Sequence, residues 1–352
     1  MRRIRAFLGW LQGSTEALVR RSVSVPALIL TLVLVTVAAP VAIPALVFAD
    51  IVQRRRLART RAYLMLWLFA FCDTVAIARA MGISVRYAGR REGYIRAHFE
   101  LQKWWGTTLF KGAIRIFGLK VTIENPELAA GGPVLVFPRH VSPVDNLLPL
   151  YLVSGPHDIM LRWVINRWLQ RDPSIDIVGH RLPNLFVSTA RKQGGEALEV
   201  AKLGENLGPT DGVLIFPEGA LYTHARREQV LESLARQDPA LHARAERIQY
   251  MLPPRLGGVL GLLDTAEGAD VLFIAHHGLE GARKYTSIVW GALVHAELRI
   301  KLWRVPAADV PTTPEARTDW LFEWWEEMDR WVGEVIEASE AYLSGERPSS
   351  DP

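Results

Sequence analysis

The chain has one cysteine, Cys72, in 352 residues, so an internal disulfide is impossible. That fits a reducing compartment or the cytoplasmic face of a membrane. Lysine is scarce: seven of the 41 basic residues are Lys and the rest are Arg. With abundant Ala, that skew is typical of GC-rich bacterial coding. The basic residues are dispersed along the chain, which speaks against a nucleic-acid-binding patch. There is no dinucleotide-type G-x-G-x-x-G and no P-loop lysine, which removes the usual phosphate cradles. Internal repeats are missing, and the only biased stretch is the Pro/Ser tail at 346–352. The longest gap is in charge, because Val23 to Ala49 carries none.

What is present is apolar. Hydrophobic residues make up 49% and charged residues 22% of the chain. The mean hydropathy is +0.10, high for a soluble enzyme and suggestive of membrane contact. The net charge is +4 and the pI about 9.3. The uncharged stretch exceeds the ~20 apolar residues that a spanning helix needs. Pro40 and Pro44 interrupt it, which allows a kinked or re-entrant segment. Arg residues flank it at 20–21 and at 54–61, and a second apolar segment, Tyr63 to Ile83, carries Asp73 and Arg79. Basic flanks on both sides leave orientation undecided. The expectation is a two-helix anchor over residues 1–90 whose Arg clusters meet anionic headgroups. The alternative is a pair of buried core helices. Trp104 and Trp105 fit either an interfacial belt or an ordinary core.

From residue 91 to 345 the pattern alternates between short apolar strands and helices. Strands are expected at Lys120–Glu124, Val134–Phe137, Ile175–Val178, Gly212–Phe216, Val271–Ala275 and, as an edge or half-exposed strand, Leu298–Trp303. Helices are expected at Pro143 to about Val153, at 185–206 capped by Asn184, at His224–Gln249, at Arg255–Asp264 and at Thr313–Tyr342. Asp158–Val164 reads as either type. Such alternation implies an α/β fold, a mixed and partly parallel sheet flanked by helices behind an N-terminal hydrophobic helical membrane anchor.

The candidate chemistry sits at strand ends. Val134–Phe137 stops at Pro138, and His140 follows on the loop. Ser142-Pro143 is a helix start, a capping hydroxyl before proline at the first helical position. Asp145 then falls in the first turn. A carboxylate that holds one imidazole nitrogen fixes the tautomer and makes the other nitrogen a better base. The buried run Gly212–Phe216 likewise ends in Pro217-Glu218-Gly219. His276-His277 follow a strand without a third metal ligand at a convincing spacing, so no metal is expected and a core or rim role reads best.

His140-x4-Asp145 followed by Phe216-Pro-Glu-Gly219 resembles the glycerophospholipid acyltransferase family, whose best-known members are the lysophosphatidic-acid acyltransferases. Ile177-Val-Gly-His-Arg181 is similar to that family's middle block, whose arginine binds the acceptor's phosphate. Met251-Leu-Pro-Pro-Arg-Leu-Gly257 and the Trp-rich segment 320–331 are similar to one membrane-bound branch. The resemblance covers about residues 119–331. It implies His140 and Asp145 as catalytic residues, with Glu218, Gly219, Arg181, Arg255 and Arg139 binding substrate. Two positions depart from the family pattern: Arg139 replaces an Asn, and Ala220-Leu221 replaces Thr-Arg. With that arginine missing, Arg139, Arg181 or Arg255 is left to supply charge to the acceptor.

The implied reaction moves a fatty acyl group from acyl-CoA or acyl carrier protein to the hydroxyl of a lysophospholipid. No cofactor is needed beyond that co-substrate, and the expected partners are membrane lipid and the acyl donor. The expected location is a bacterial inner membrane, with the active site on the cytoplasmic face. Other readings are a different lipid or glycolipid acceptor, a non-catalytic lipid-binding relative, and an esterase using water. Ser142 reads as a helix cap rather than a nucleophile, because the acceptor hydroxyl can attack directly.

Overall fold

The computed structural model describes residues 2–188 and 195–344 of the chain. The tail and residues 189–194, part of the helix expected at 185–206, lie outside the described residues. Three long helices open the fold: α1 (Arg2–Val52), α2 (Ala58–Arg86) and α3 (Arg91–Phe117). α1 continues through Pro26, Pro40 and Pro44, so the uncharged stretch is one helix. At ~1.5 Å per residue, its 51 residues span about 76 Å.

α1 is tied down at two places. The guanidinium groups of Arg20 and Arg21 reach the buried carboxylate of Asp176 at 2.6 and 2.7 Å. Near the other end, Asp50 is buried and accepts from Thr60 N and Thr60 Oγ1 at 3.0 and 2.9 Å. Asp50 thus serves the first turn of α2, where the residue ahead of the helix, Leu57, offers no side-chain cap. Between these points Tyr63 Oη donates to Val35 O, and Trp67 Nε1 donates to Thr36 Oγ1. The opposite side of α1 is an exposed apolar stripe that includes Val23, Leu30, Leu34, Val37, Val41 and Phe48. Both α1 and α2 are long and apolar enough to cross a membrane by length and composition.

α2 is sandwiched between α1 and α3. Its one acid, Asp73, is buried and accepts from Trp105 Nε1 at 2.6 Å. Arg79 lies 4.6 Å above the Trp104 ring. The tryptophan pair is therefore a packing and hydrogen-bonding seam between α2 and α3.

The rest is a seven-stranded sheet in the order β1-β7-β6-β2-β5-β3-β4. The strands are β1 (Lys120–Glu124), β2 (Val134–Pro138), β3 (Met160–Asn166), β4 (Leu185–Val187), β5 (Asp211–Leu214), β6 (Asp270–His277) and β7 (Glu297–Val305). Every neighbouring pair is parallel except β6 with β7. This is the mixed, mostly parallel α/β sheet that the alternating pattern implies. β2, β5 and β6 are buried on both faces, which is why they read as continuous apolar runs. Successive residues of β2 serve opposite cores. Val134 and Val136 join Leu109, Phe110 and Phe117 of α3. Leu135 and Phe137 pack with Val259, Leu262, Phe322 and Trp325, which lie on α9 and α11 as numbered below.

The remaining helices are α4 (Gly155–His157), α5 (Pro173–Gly179), α6 (Gly195–Ala201), α7 (His224–Gln237), α8 (Pro239–Ala245), α9 (Leu256–Thr265), α10 (Tyr285–Val289) and α11 (Pro314–Ser344). Three sequence expectations are corrected here. Ile175–Val178 is helical, within α5, because Asp172 caps that helix through Ser174 N and Ile175 N and Pro173 follows. Residues 185–187 are strand β4, and Asn184 accepts from Trp163 N on β3 instead of capping a helix. The segment after Pro143 is a 3₁₀ turn at 143–147 and a π turn at 150–154, not an α-helix. Leu298–Trp303 lies within β7 and is half-exposed, as its alternation predicts, with β1 paired along its outer side.

Candidate active site

The order β6-β2-β5 brings three strand ends together at one border of the sheet. The carboxyl ends of parallel strands are where α/β sheets hold ligands. His140, His276 and the Pro217-Glu218-Gly219 turn all lie at that border.

His140 is held by its backbone. Its N–H donates to Glu218 Oε1 at 2.6 Å, and its carbonyl accepts from Tyr222 N at 2.8 Å. The ring stacks on Phe216 with centroids 4.0 Å apart. Nδ1 lies 3.3 Å from Asp145 Oδ2, with 15% of the His140 side chain exposed and none of the Asp145 side chain. The Nδ1 contact is off the line of a well-formed hydrogen bond, but it becomes an ion pair once the ring is protonated. Nε2 has no hydrogen bond among the described residues and is the nitrogen left for a substrate proton.

Asp145 is placed by the turn that Ser142 and Pro143 start. Its Oδ2 accepts from Val141 N at 2.5 Å and Ser142 N at 2.7 Å. Ser142 Oγ in turn accepts from Val144 N. The pair forms a reciprocal capping box. Ser142 is buried and serves as that cap, as its place before Pro143 predicts.

Glu218 joins the two motifs, but not by facing an open site. The side chain is buried. Its second oxygen, Oε2, accepts from Leu252 N at 2.9 Å. Both oxygens are therefore occupied by backbone N–H groups, and the residue ties the His140 loop to the 251–254 segment. Burial pushes its pKa up to about 8, against the pull of Leu252 N, Arg139 and His140 N. Leu252 is fixed from the other side, where Trp325 Nε1 donates to its carbonyl at 2.9 Å.

Gly219 adopts φ +64°, and a Cβ there would meet Arg255 Cδ at 2.7 Å. Its N–H donates to Phe216 O at 2.9 Å, so it is not free to face a phosphate or an oxyanion as expected. Arg255 N donates to Pro217 O at 2.8 Å, and its side chain is exposed above the turn. It has no carboxylate partner among the described residues and remains available to an anion.

Arg139 differs most from its expected role. It is buried and donates to His276 O at 2.6 Å and Tyr250 O at 2.8 Å, and it pairs with Glu280. Burial opposes ionisation of Glu280, yet His277 and Arg139 hold its carboxyl well below the usual range. Arg139 is thus an internal tie between β2, β6 and the segment before Leu252. Arg181 lies elsewhere, on the turn after α5. Its Nη1 is 3.2 Å from His98 Nε2 on α3. Burial depresses its pKa and Arg21 adds to the effect, with Tyr94 opposing. It has no carboxylate partner among the described residues, so its charge is free for an anion.

The structure therefore gathers His140, Asp145, Glu218, Gly219, Arg139 and Arg255 at one border and leaves Arg181 outside that network of contacts. It adds two residues that the motifs do not mark. Trp325 supports Leu252, and buried His276 stands behind Asp145, with Nε2 3.6 Å from Oδ1. The His-His pair after an apolar strand was the only sequence signal for the latter. No group of three or more metal-ligating side chains occurs among the described residues.

No protein-family model matches the chain, and no curated protein matches it. Among solved structures, the chain is similar to the crystal structure of the 1-acyl-sn-glycerophosphate (LPA) acyltransferase, PlsC, from Thermotoga maritima. The two share 18% identity at a TM-score of 0.49, and the match covers 80% of this chain and 96% of that one.

Proposed function

We propose that the chain is a membrane-associated O-acyltransferase. In this reading it moves a fatty acyl group from acyl-CoA or acyl carrier protein to the hydroxyl of a lysophospholipid. The observation that carries it is the His140–Asp145 pair at the end of β2, with a carboxylate 3.3 Å from one ring nitrogen and the other nitrogen unbonded.

His140 Nε2 takes the proton of the acceptor hydroxyl as its oxygen attacks the thioester carbonyl. Asp145 holds the ring and stabilises the imidazolium. The new C–O bond forms, the C–S bond breaks, and the thiolate leaves with the proton from the ring. A thiolate leaves readily, so the site needs no strong general acid and no enzyme nucleophile. Arg255, exposed above the Pro217–Gly219 turn, is placed to meet an anionic group of donor or acceptor.

The exposed apolar stripe of α1 and the Arg cluster at 54–61 support a lipid surface as the workplace. The donor then comes from the cytoplasmic side of a bacterial inner membrane.

The test is purified full-length protein with acyl-CoA and a panel of lysolipids. We expect thioester-dependent diacyl product from at least one lysophospholipid. His140→Ala and Asp145→Asn each abolish it while leaving the protein folded. Release of free fatty acid without transfer would identify an esterase. Wild-type turnover in either variant would remove the proposed base.

A further inference from the structure

His276 is fully buried at the end of β6, in the row behind His140. Its Nε2 faces two acceptors, Arg139 O at 3.2 Å and Asp145 Oδ1 at 3.6 Å. Its Nδ1 has no partner among the described residues. Two acceptors on one side place the proton on Nε2. Burial depresses the pKa of the ring, with Asp145 and Glu280 pulling it up and Arg139 pushing it down. The ring is thus a neutral donor rather than a second cation.

Asp145 shows the complementary gap. Oδ2 is served by Val141 N and Ser142 N and faces His140. Oδ1 is buried and accepts no well-formed hydrogen bond among the described residues. The nitrogen that faces it is His276 Nε2. Such contacts are commonly long before substrate binds and tighten in the working complex.

We infer that His276 is a positioning residue, whose Nε2–H is shared between Arg139 O and Asp145 Oδ1 and so fixes the carboxylate that orients His140. The inference rests on the acyl-transfer reading only in its kinetic arm. The other charged groups around the pair are Arg139 on the β2 loop, Glu218 on the turn after β5, and His277 with Glu280 beyond β6. None of them donates to Oδ1: Arg139 Nη1 and Nη2 are bonded to His276 O, Glu280 and Tyr250 O, and Arg139 Nε makes no hydrogen bond among the described residues.

Two amide substitutions separate this role from packing. The amide nitrogen of glutamine reaches the Nε2 place, whereas that of asparagine stops at the Nδ1 place. The His140 imidazole is titrated by NMR in full-length protein, and kcat and KM are measured beside it. In H276N, Asp145 keeps the two backbone donors on Oδ2 but loses the one facing Oδ1, and its charge bears more fully on His140. The His140 pKa then rises by about half a unit or more. With the ring less well held, kcat falls roughly ten- to a hundredfold while KM holds. H276Q stays close to wild type in both measurements.

A folded H276N that titrates His140 as wild type does would overturn the inference and leave His276 as core packing. If H276N melts too low to titrate, H276Q carries the test, and a His140 pKa displaced by more than about half a unit refutes the donor role. The titration needs no turnover. Should the wild-type chain transfer no acyl group while H276N still shifts His140, the reaction would be refuted and the positioning role would stand.

Discussion

Glu218→Gln tests the main departure between motif and geometry. The carboxylate binds His140 N through one oxygen and Leu252 N through the other. An amide has a single acceptor oxygen, so one of those buried N–H groups is left facing an NH2. An unsatisfied buried donor costs about 1–3 kcal/mol, or roughly 2–4 °C of Tm per kcal/mol for a domain of about 200 residues. The pH dependence has a definite sign. A carboxyl with a folded pKa of about 8, above its usual 4.5, makes the folded state bind the proton more tightly than the unfolded state. Wild-type stability from this group is then fully present below about pH 4.5 and declines as pH rises toward 8. The Gln variant has no such decline, so the stability gap between the two proteins narrows from pH 5 to pH 8. Melting of both proteins in detergent at several pH values measures it. A gap that widens with pH would mean that Glu218 is ionised in the fold, and the burial argument would fail. In the assay, a Glu218 that positions His140 lowers kcat at nearly constant KM. A rise in acceptor KM at unchanged kcat would instead restore the role of binding substrate hydroxyls.

Two further outcomes concern one unpaired and one paired charge. Arg181→Ala should raise the acceptor KM severalfold and leave the donor KM alone, if its unpaired charge receives the acceptor's phosphate; steady-state kinetics against each substrate decides it, and an unchanged acceptor KM refutes the role. Asp176→Asn should free the front of α1 from the protein. In wild type, burial works against the Asp176 charge, but His180, Arg21 and Arg20 outweigh it and hold the carboxyl well below the usual range. Its contribution is therefore complete above the ordinary carboxylate range and lost as pH falls below it. Faster tryptic cleavage after Arg20 and Arg21 in the variant, with the sheet intact, is the expected readout, and an unchanged cleavage rate would refute the tie.

The buried strands were legible because β2, β5 and β6 pack on both faces and leave no room for a charge. His140, Ser142 and Asp145 were legible because a cap, a proline and a carboxylate at fixed spacing build one local turn. Ile175–Val178 was misread because a short buried helix and a buried strand share the same apolar run; the Asp172-Pro173 start was the clue. The place of β7 inside the sheet depends on β1, far away in sequence, and no local pattern reports it. Glu218 and Arg139 showed their residue types but not their direction, and each turned inward to serve backbone groups. Sequence shows which charges exist; what they face depends on segments such as 250–252, brought in by α11.

α1 is tied to Asp176 toward its front and through the Asp50–Thr60 contact at its back. Held at 20–21 and at 50, that length of the helix is fixed to α5 and to α2. On the proposed lipid surface, the layer that receives its outer stripe would therefore set the height of the His140 loop, much as a keel sets a hull's draught. Lengthening or shortening the helix between the clamps would warp the body, whereas altering residues on the stripe would change only how deep the whole molecule rides.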